Sequence, residues 1–366
     1  MKDIIEKNKC TGCMACANIC HKNAIQIQED ENGFLYPEID NEKCINCGLC
    51  KKVCPVLSNI KEKEFATEVY CCKNKDEKVR MKSSSGGIFS LIAETILEED
   101  GIVFGACINE DREVVHDYIE DKKELFKLRG SKYVQSQIRE NYKKAKEFLN
   151  EKRKVFFTGT PCQIEGLLSY LGKEYDNLYT QDFICHGVPS PKVWRKYMEY
   201  KKQKNGEYPK NVEFRSKDIL GWSSFQIRYE YKNSSENVHH DDDPYMKFFL
   251  RNFDLRESCY NCHFKKINRK SDITVADSWG INESHPKFND EKGISTILVH
   301  TAKGKEILNK IKDRMDWIEE DIENVKKYNS PICKSVKYNE LREEFFYDLE
   351  RKDFESIIEK YLPKNI

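Results

Sequence analysis

Cys10, Cys13, Cys16 and Cys20 are spaced C-x2-C-x2-C-x3-C, and Cys44, Cys47, Cys50 and Cys54 repeat that spacing in full. Three cysteines on one tight loop can turn their thiolates inward on a single iron–sulfur cubane. In dicluster ferredoxins the fourth ligand of each cubane comes from the other copy. By that rule Cys10, Cys13, Cys16 and Cys54 hold one 4Fe–4S cluster, and Cys44, Cys47, Cys50 and Cys20 hold a second. Zinc knuckles or disulfides are the competing reading, and eight cysteines in register weigh against both. The proline that follows the last cysteine of such a copy is present as Pro55, but His21 takes its place in the first. That proline shapes the loop and ligates nothing, so altered packing is expected rather than a lost cluster.

The chain carries sixteen cysteines in 366 residues. Disulfide scaffolds are typically small and secreted. This chain is long, and its opening residues Met1–Lys7 lack the apolar core of a secretion signal. Metal ligation therefore explains the cysteines better. No apolar run approaches the roughly 18 residues of a membrane span, so a cytoplasmic protein is expected. With 62 basic and 62 acidic residues there is no global charge to attract nucleic acid. The lysines alternate with glutamates and read as solvated faces.

Between the two cysteine copies, Ala24-Ile25-Gln26-Ile27 alternates as a strand does. Asn32-Gly33 signals a hairpin turn, and Phe34-Leu35-Tyr36 follows. This describes a small pseudo-symmetric ferredoxin-type domain over 1–62, ending in a lysine- and glutamate-rich linker. Residues 63–366 form a larger domain. There the sequence predicts strands at 69–72, 102–106, 155–158, 178–184, 273–276 and 294–299, with two more around a turn in 212–231. Helices are predicted over Ile88–Glu98, from Cys162 to about Leu171 and from Ala302. The fold class is mixed α/β (α+β).

Among the remaining cysteines, Cys162 follows Thr160-Pro161, a helix cap and first helical residue. Cys185 ends a strand, and Cys259-Tyr260-Asn261-Cys262 is a CxxC loop. Strand ends that lead into helices are where α/β folds place their sites. On spacing alone these four can converge on a metal. The CxxC can equally be half a zinc site or a dithiol, and Cys162 a redox nucleophile. Cys71, Cys72, Cys107 and Cys333 read as buried inert thiols.

Several segments together resemble the beta-subunit family of coenzyme F420 (deazaflavin) hydrogenases and dehydrogenases. They are Gly159-Thr160-Pro161-Cys162-Gln163, Cys185-His186-Gly187-Val188-Pro189, Cys259-Tyr260-Asn261-Cys262 and Ser271–Gly280, with Ser85-Gly86-Gly87 and Gly130–Val134. The resemblance implies a bound FAD, a third 4Fe–4S cluster held by Cys162, Cys185, Cys259 and Cys262, and hydride exchange at the flavin. It makes Ser85, Gly86, Gly87, Lys132, Gly159 and Thr160 candidate flavin contacts, set against the plainer roles of helix cap and surface lysine. Asp277, Trp279 and His186 become candidates to line the pocket, although a tryptophan is more often core. A flavin converts between hydride and single electrons.

The implied function is an iron–sulfur flavoprotein oxidoreductase. It would exchange hydride with a small-molecule donor or acceptor and electrons with a redox partner protein or subunit. The alternative is an electron-transfer module with no substrate chemistry of its own. A third reading is a zinc-stabilised binding domain around the CxxC.

Overall fold

The structure is a computed structural model that describes residues 3–58 and 67–363; the expected domain boundary at residue 62 lies outside them. In chain order the strands are β1 Ile25–Glu29, β2 Leu35–Ile39, β3 Glu68–Asn74, β4 Ile102–Ile108, β5 Val114–Ile119, β6 Val155–Thr158 and β7 Leu178–Phe183. They continue with β8 Asn211–Ser216, β9 Gln226–Glu230, β10 Ser235–His239, β11 Ile273–Asp277, β12 Ser295–Val299 and β13 Met315–Glu319. Eight of them form one sheet in the order β13-β3-β12-β11-β7-β6-β4-β5. Its centre, β11-β7-β6-β4, is parallel, and its flanking strands are antiparallel.

The central strands are apolar on both faces because both faces are covered. Val103 and Phe156 point to one side, onto the helices Ile88–Glu98 and Ala302–Ile311. Ile102, Phe104, Val155 and Phe157 point to the other, onto the helices Asn141–Asn150 and Pro161–Leu171. Continuous runs such as Val155-Phe156-Phe157 are therefore buried strands. The helix Ile88–Glu98 falls where its spacing predicts, with Gly87 as its N-cap in the left-handed region at φ +80°.

Between β7 and β11 the chain leaves the sheet. It forms the long helix Pro191–Asn205, the antiparallel sheet β8-β9-β10 and the helix Pro244–Leu250, then returns through a short turn at Glu257–Cys259. This excursion carries the CxxC back to the end of β7.

β1 and β2 pair as an antiparallel hairpin between the cysteine copies. The N-terminal segment packs into the larger domain. Cys13, Met14, Ala15 and Val53 join the core around Phe157. Phe34 is fully buried in an aromatic cluster with Trp194, Tyr197, Tyr245 and Phe345. The hairpin tip fits closely: Gly33 lies at φ +85°, and a Cβ there would fall 2.2 Å from the Cβ of Lys192. The Ser190 hydroxyl, itself the N-cap of the helix Pro191–Asn205, donates to the carbonyl of Asn32.

One expectation is corrected. Cys71, Cys72 and Cys107 are buried, but Cys333 is exposed, on a short turn rather than in the core. Trp279, a candidate to line the pocket, lies outside the core: it is 40% exposed and stacks on Trp222 at 5.0 Å.

Candidate metal centres and cofactor site

Cys10, Cys13, Cys16 and Cys54 line one recess, walled by Ile4, Ile27, Leu35 and Val56. Cys54 comes from the second copy and has Cys10 and Cys50 as neighbours, so it stands where the two copies meet. Burial pushes the Cys13 thiol up to about 12. Cys44 and Cys47 lie beside Cys50, and Cys47 is exposed. The Cys20 sulfur accepts from the Ala24 N–H at 3.3 Å. The loops turn on Gly12 and Gly48 at φ +70° and +76°. His21 is exposed.

The second group is built from the sheet. β6 ends at Thr158, and Thr160 opens the helix Pro161–Leu171 with Gln163, whose side-chain oxygen accepts from the Thr160 N–H at 3.0 Å. The Thr160 hydroxyl lies 3.1 Å from the Cys162 sulfur. β7 ends at Phe183, two residues before Cys185. Cys162, Cys185, Cys259 and Cys262 line a single recess. Thr11 lines both this recess and that of Cys10.

Burial pushes the Cys259 thiol up to about 12 and the Cys185 thiol to about 11, the latter against the pull of the Lys265 charge. The Lys265 amine donates to the Cys185 carbonyl. Arg269, buried and paired with the buried Asp182 at 3.2 Å, also lines the recess, and its Nη2 has no hydrogen-bond partner.

Buried thiols around a recess suit a metal, because binding removes their protons and gives the sulfurs a partner. Four ligands of one zinc ion would stand about 3.8 Å apart around Zn–S bonds of about 2.3 Å. Among the described residues, the only group of three or more His, Cys, Asp or Glu ligand atoms within 4.8 Å of one another is His239, His240 and Asp241, where β10 ends. The cysteines stand wider than one zinc ion would hold them. An open recess between four thiols fits a cubane.

The candidate flavin contacts fall into two groups. Gly159 and Thr160 belong to the turn beside Cys162. Ser85, Gly86 and Gly87 lie next to the segment of Lys132, where the Ser84 hydroxyl accepts from the Ser131 N–H at 2.8 Å. The Gly86 N–H donates to the Ser295 hydroxyl at 2.9 Å, and a Cβ on Gly86 would fall 2.4 Å from the Cys72 carbonyl oxygen, so this glycine is required by packing. The Lys132 amine donates to the carbonyls of Lys127 and Arg129, both at 3.0 Å, and burial pushes it down to about 7.

Residues unmarked in the sequence complete this side. Lys217 is buried with its amine on the carbonyls of Arg80, Ser85 and Lys292. Arg215, also buried, forks onto both oxygens of Asp277 at 3.0 and 3.1 Å, and its Nε has no partner. The Trp222 indole donates to Asp277 at 2.8 Å. A helix start without a capping side chain, an incompletely satisfied guanidinium and a half-exposed indole face fit an anionic group carrying a flat ring. His186 lies beside the four-cysteine recess instead, held through Nε2 by Asn252 at 2.7 Å. The missed cations were hidden by composition: among so many surface lysines, nothing marks Lys217, Arg215, Arg256 or Arg269 as buried.

Comparison with known proteins accords with this geometry. Residues 69–141 match the model of the coenzyme F420 hydrogenase/dehydrogenase beta subunit N-terminal part, and residues 152–325 match its C-terminal part. Residues 9–57 match a 4Fe–4S dicluster domain. The coenzyme F420-dependent sulfite reductase of Methanocaldococcus jannaschii is 25% identical over 332 residues, covering 89% of this chain and 50% of that protein. The chain thus spans about half the length of that relative. The pyruvate synthase subunit PorD of Thermotoga maritima is 39% identical over 70 residues, 19% of this chain and 67% of that one. A chain in a structure of the F420-reducing nickel–iron hydrogenase complex of Methanosarcina barkeri shares the fold, with TM-score 0.50 and 16% identity over 75% of this chain and 92% of that one. The chain is an iron–sulfur protein with a 4Fe–4S dicluster domain, and it belongs to the coenzyme F420 hydrogenase/dehydrogenase beta subunit family.

Proposed function

We propose that this protein is an iron–sulfur flavoprotein oxidoreductase. It exchanges hydride at FAD with a substrate or a deazaflavin-type coenzyme and passes single electrons through three 4Fe–4S clusters to a partner subunit. The observation that carries the reading is the convergence of Cys162, Cys185, Cys259 and Cys262 on one recess that shares Thr11 with the recess of Cys10, Cys13, Cys16 and Cys54. FAD, when bound, supplies the exchange between a two-electron hydride and single electrons.

The chain's own residues prepare for these groups in three ways. The start of the helix Ile88–Glu98 offers N–H groups to the flavin phosphates. Arg215 places positive charge nearby, and the Lys132 and Lys217 amines, held down by burial, take up a proton when an anion binds. Thr160 orients the Cys162 sulfur, while Lys265 and Arg269 line its recess with cations.

The test is iron, sulfide and released-flavin analysis on one anaerobically purified sample. About twelve irons and one flavin are expected for three 4Fe–4S clusters and FAD. About eight irons without flavin would overturn the reading and leave an electron-transfer module.

A further inference from the structure

Arg256 lies three residues before Cys259 and is fully buried. Every nitrogen of its guanidinium is engaged. Nε donates to the Cys10 carbonyl at 2.7 Å, Nη1 to the Gln135 side-chain oxygen at 3.1 Å, and Nη2 to the Leu35 carbonyl at 3.1 Å and the Cys10 sulfur at 3.7 Å. Its flat face lies 4.1 Å from the ring centre of Tyr36. Its own carbonyl accepts from the Cys259 N–H at 2.9 Å. Gln135 in turn donates to the carbonyl of Thr11, the residue common to both recesses. Gly12 makes room for the arrangement: a Cβ there would fall 2.9 Å from Nη1 of Arg256 and 2.8 Å from Nε2 of Gln135.

These partners are three neutral oxygens and one sulfur. The acceptor among them that becomes charged when metal binds is the Cys10 thiolate. A buried cation carries a large desolvation penalty unless it is compensated, and a thiolate with its cluster compensates it. Cluster potentials respond to local charge, to hydrogen bonds on the ligand sulfurs and to solvent exposure. Arg256 supplies the first two to Cys10, whereas Cys47, in the other N-terminal set, is exposed to water.

We propose that Arg256 is a positioning residue that raises the reduction potential of the centre bound by Cys10, Cys13, Cys16 and Cys54 and fixes the Cys259 loop beside it. The proposal rests on the reading above that these cysteines hold 4Fe–4S clusters. Reduction adds one electron to the centre and makes or breaks no bond. The added negative charge lies beside a guanidinium that water does not screen, so the reduced form is favoured.

The test is a potentiometric titration of the full chain, with dithionite as the electron donor, followed by low-temperature electron paramagnetic resonance. Iron is counted in every sample. The Cys10 centre is identified as the N-terminal signal that survives Cys47→Ala. At full iron content, Arg256→Gln is expected to move the midpoint of the Cys10 centre to lower potential and leave that of the Cys44 centre in place. Arg256→Lys should recover part of the shift.

An unmoved Cys10 midpoint in Arg256→Gln at full iron would overturn the proposal. So would equal shifts of both N-terminal midpoints that Arg256→Lys fails to relieve, because they would report general loosening. If Arg256→Gln loses iron, Arg256→Met, which also removes the charge, carries the test at full iron, and an unmoved Cys10 midpoint in it overturns the proposal. Iron missing from the unsubstituted protein would be a failure of the reading under Proposed function instead, visible before any substitution is made.

Discussion

The two groups of cysteines are assembled in opposite ways. The N-terminal set lies within residues 10–54, on loops turned by Gly12 and Gly48, and its ligands are close in sequence before anything folds. Cys162, Cys185, Cys259 and Cys262 are scattered, and meet only because β6 and β7 are parallel neighbours and the excursion after β7 returns to their ends. Metal can organise the first group almost directly, since ligand binding and local folding are one event. The second group needs the sheet first, because its closure joins segments far apart in the chain. The difference predicts which centre fails when the scaffold is disturbed.

Cys259→Ser gives the largest expected effect. It should remove about four irons, one cubane, and leave the N-terminal irons in place. Loss of N-terminal iron in the same sample would show that the two groups are not assembled separately. Phe156→Ala, on the face of β6 away from the N-terminal segment, comes next. It empties a fully buried position in β6 just before the Cys162 turn, at an expected cost of about 3–5 kcal/mol in chemical denaturation. During partial unfolding its iron should leave the four-cysteine recess before the N-terminal pair.

Acid should distinguish the same two regions. Burial holds His116 down at about 4 and His300 at about 3, against 6.5 unfolded. His116 lies 2.9 Å from the Thr158 carbonyl at the end of β6. His300 lies 2.8 Å from the Thr274 hydroxyl, which donates to Asp182 beside Arg269. The unfolded chain binds these protons first, so the contribution is complete above pH 6.5. It is lost as pH falls through the window down to about 4 for His116 and about 3 for His300. The slope should approach about 1.4 kcal/mol per pH unit for each histidine. Denaturation midpoints between pH 8 and 5.5 measure it, and His300→Gln should flatten it by one proton.

The smallest effect is expected from Lys132→Ala, a several-fold weaker retention of flavin with iron content unchanged. Unchanged flavin retention would leave Lys132 as the cap on the Lys127 and Arg129 carbonyls and nothing more.

The contrast also explains what could be read in advance. Regular spacing exposes a local centre, and hydrophobic runs expose buried strands, so the cysteine repeat, β4, β6, β7 and the helix Ile88–Glu98 were legible. The strands β5, β10 and β13 were not, nor were the C-terminal helices Arg342–Leu349 and Phe354–Tyr361, whose packing depends on partners distant in sequence. That Cys162, Cys185, Cys259 and Cys262 hold one cluster is what the resemblance implies; spacing alone allowed a shared metal, but equally a dithiol or half a zinc site at the CxxC and a redox nucleophile at Cys162. The cations of the sites were illegible for a different reason. Burial of Arg215, Lys217 or Arg256 is decided by the carbonyls and sulfur that surround it in three dimensions, and a side chain of that type is ordinarily on the surface.

The tip of the N-terminal hairpin has a consequence for how such proteins can be recombined. Gly33 admits no side chain against Lys192, the Asn32 carbonyl is held by the cap of a helix of the larger domain, and Phe34 is sunk in that domain's aromatic core. A small electron carrier grafted in place of residues 10–54 would need this plug as well as the eight cysteines. Interchange with free-standing ferredoxins is therefore limited by the shape of one turn that never touches metal.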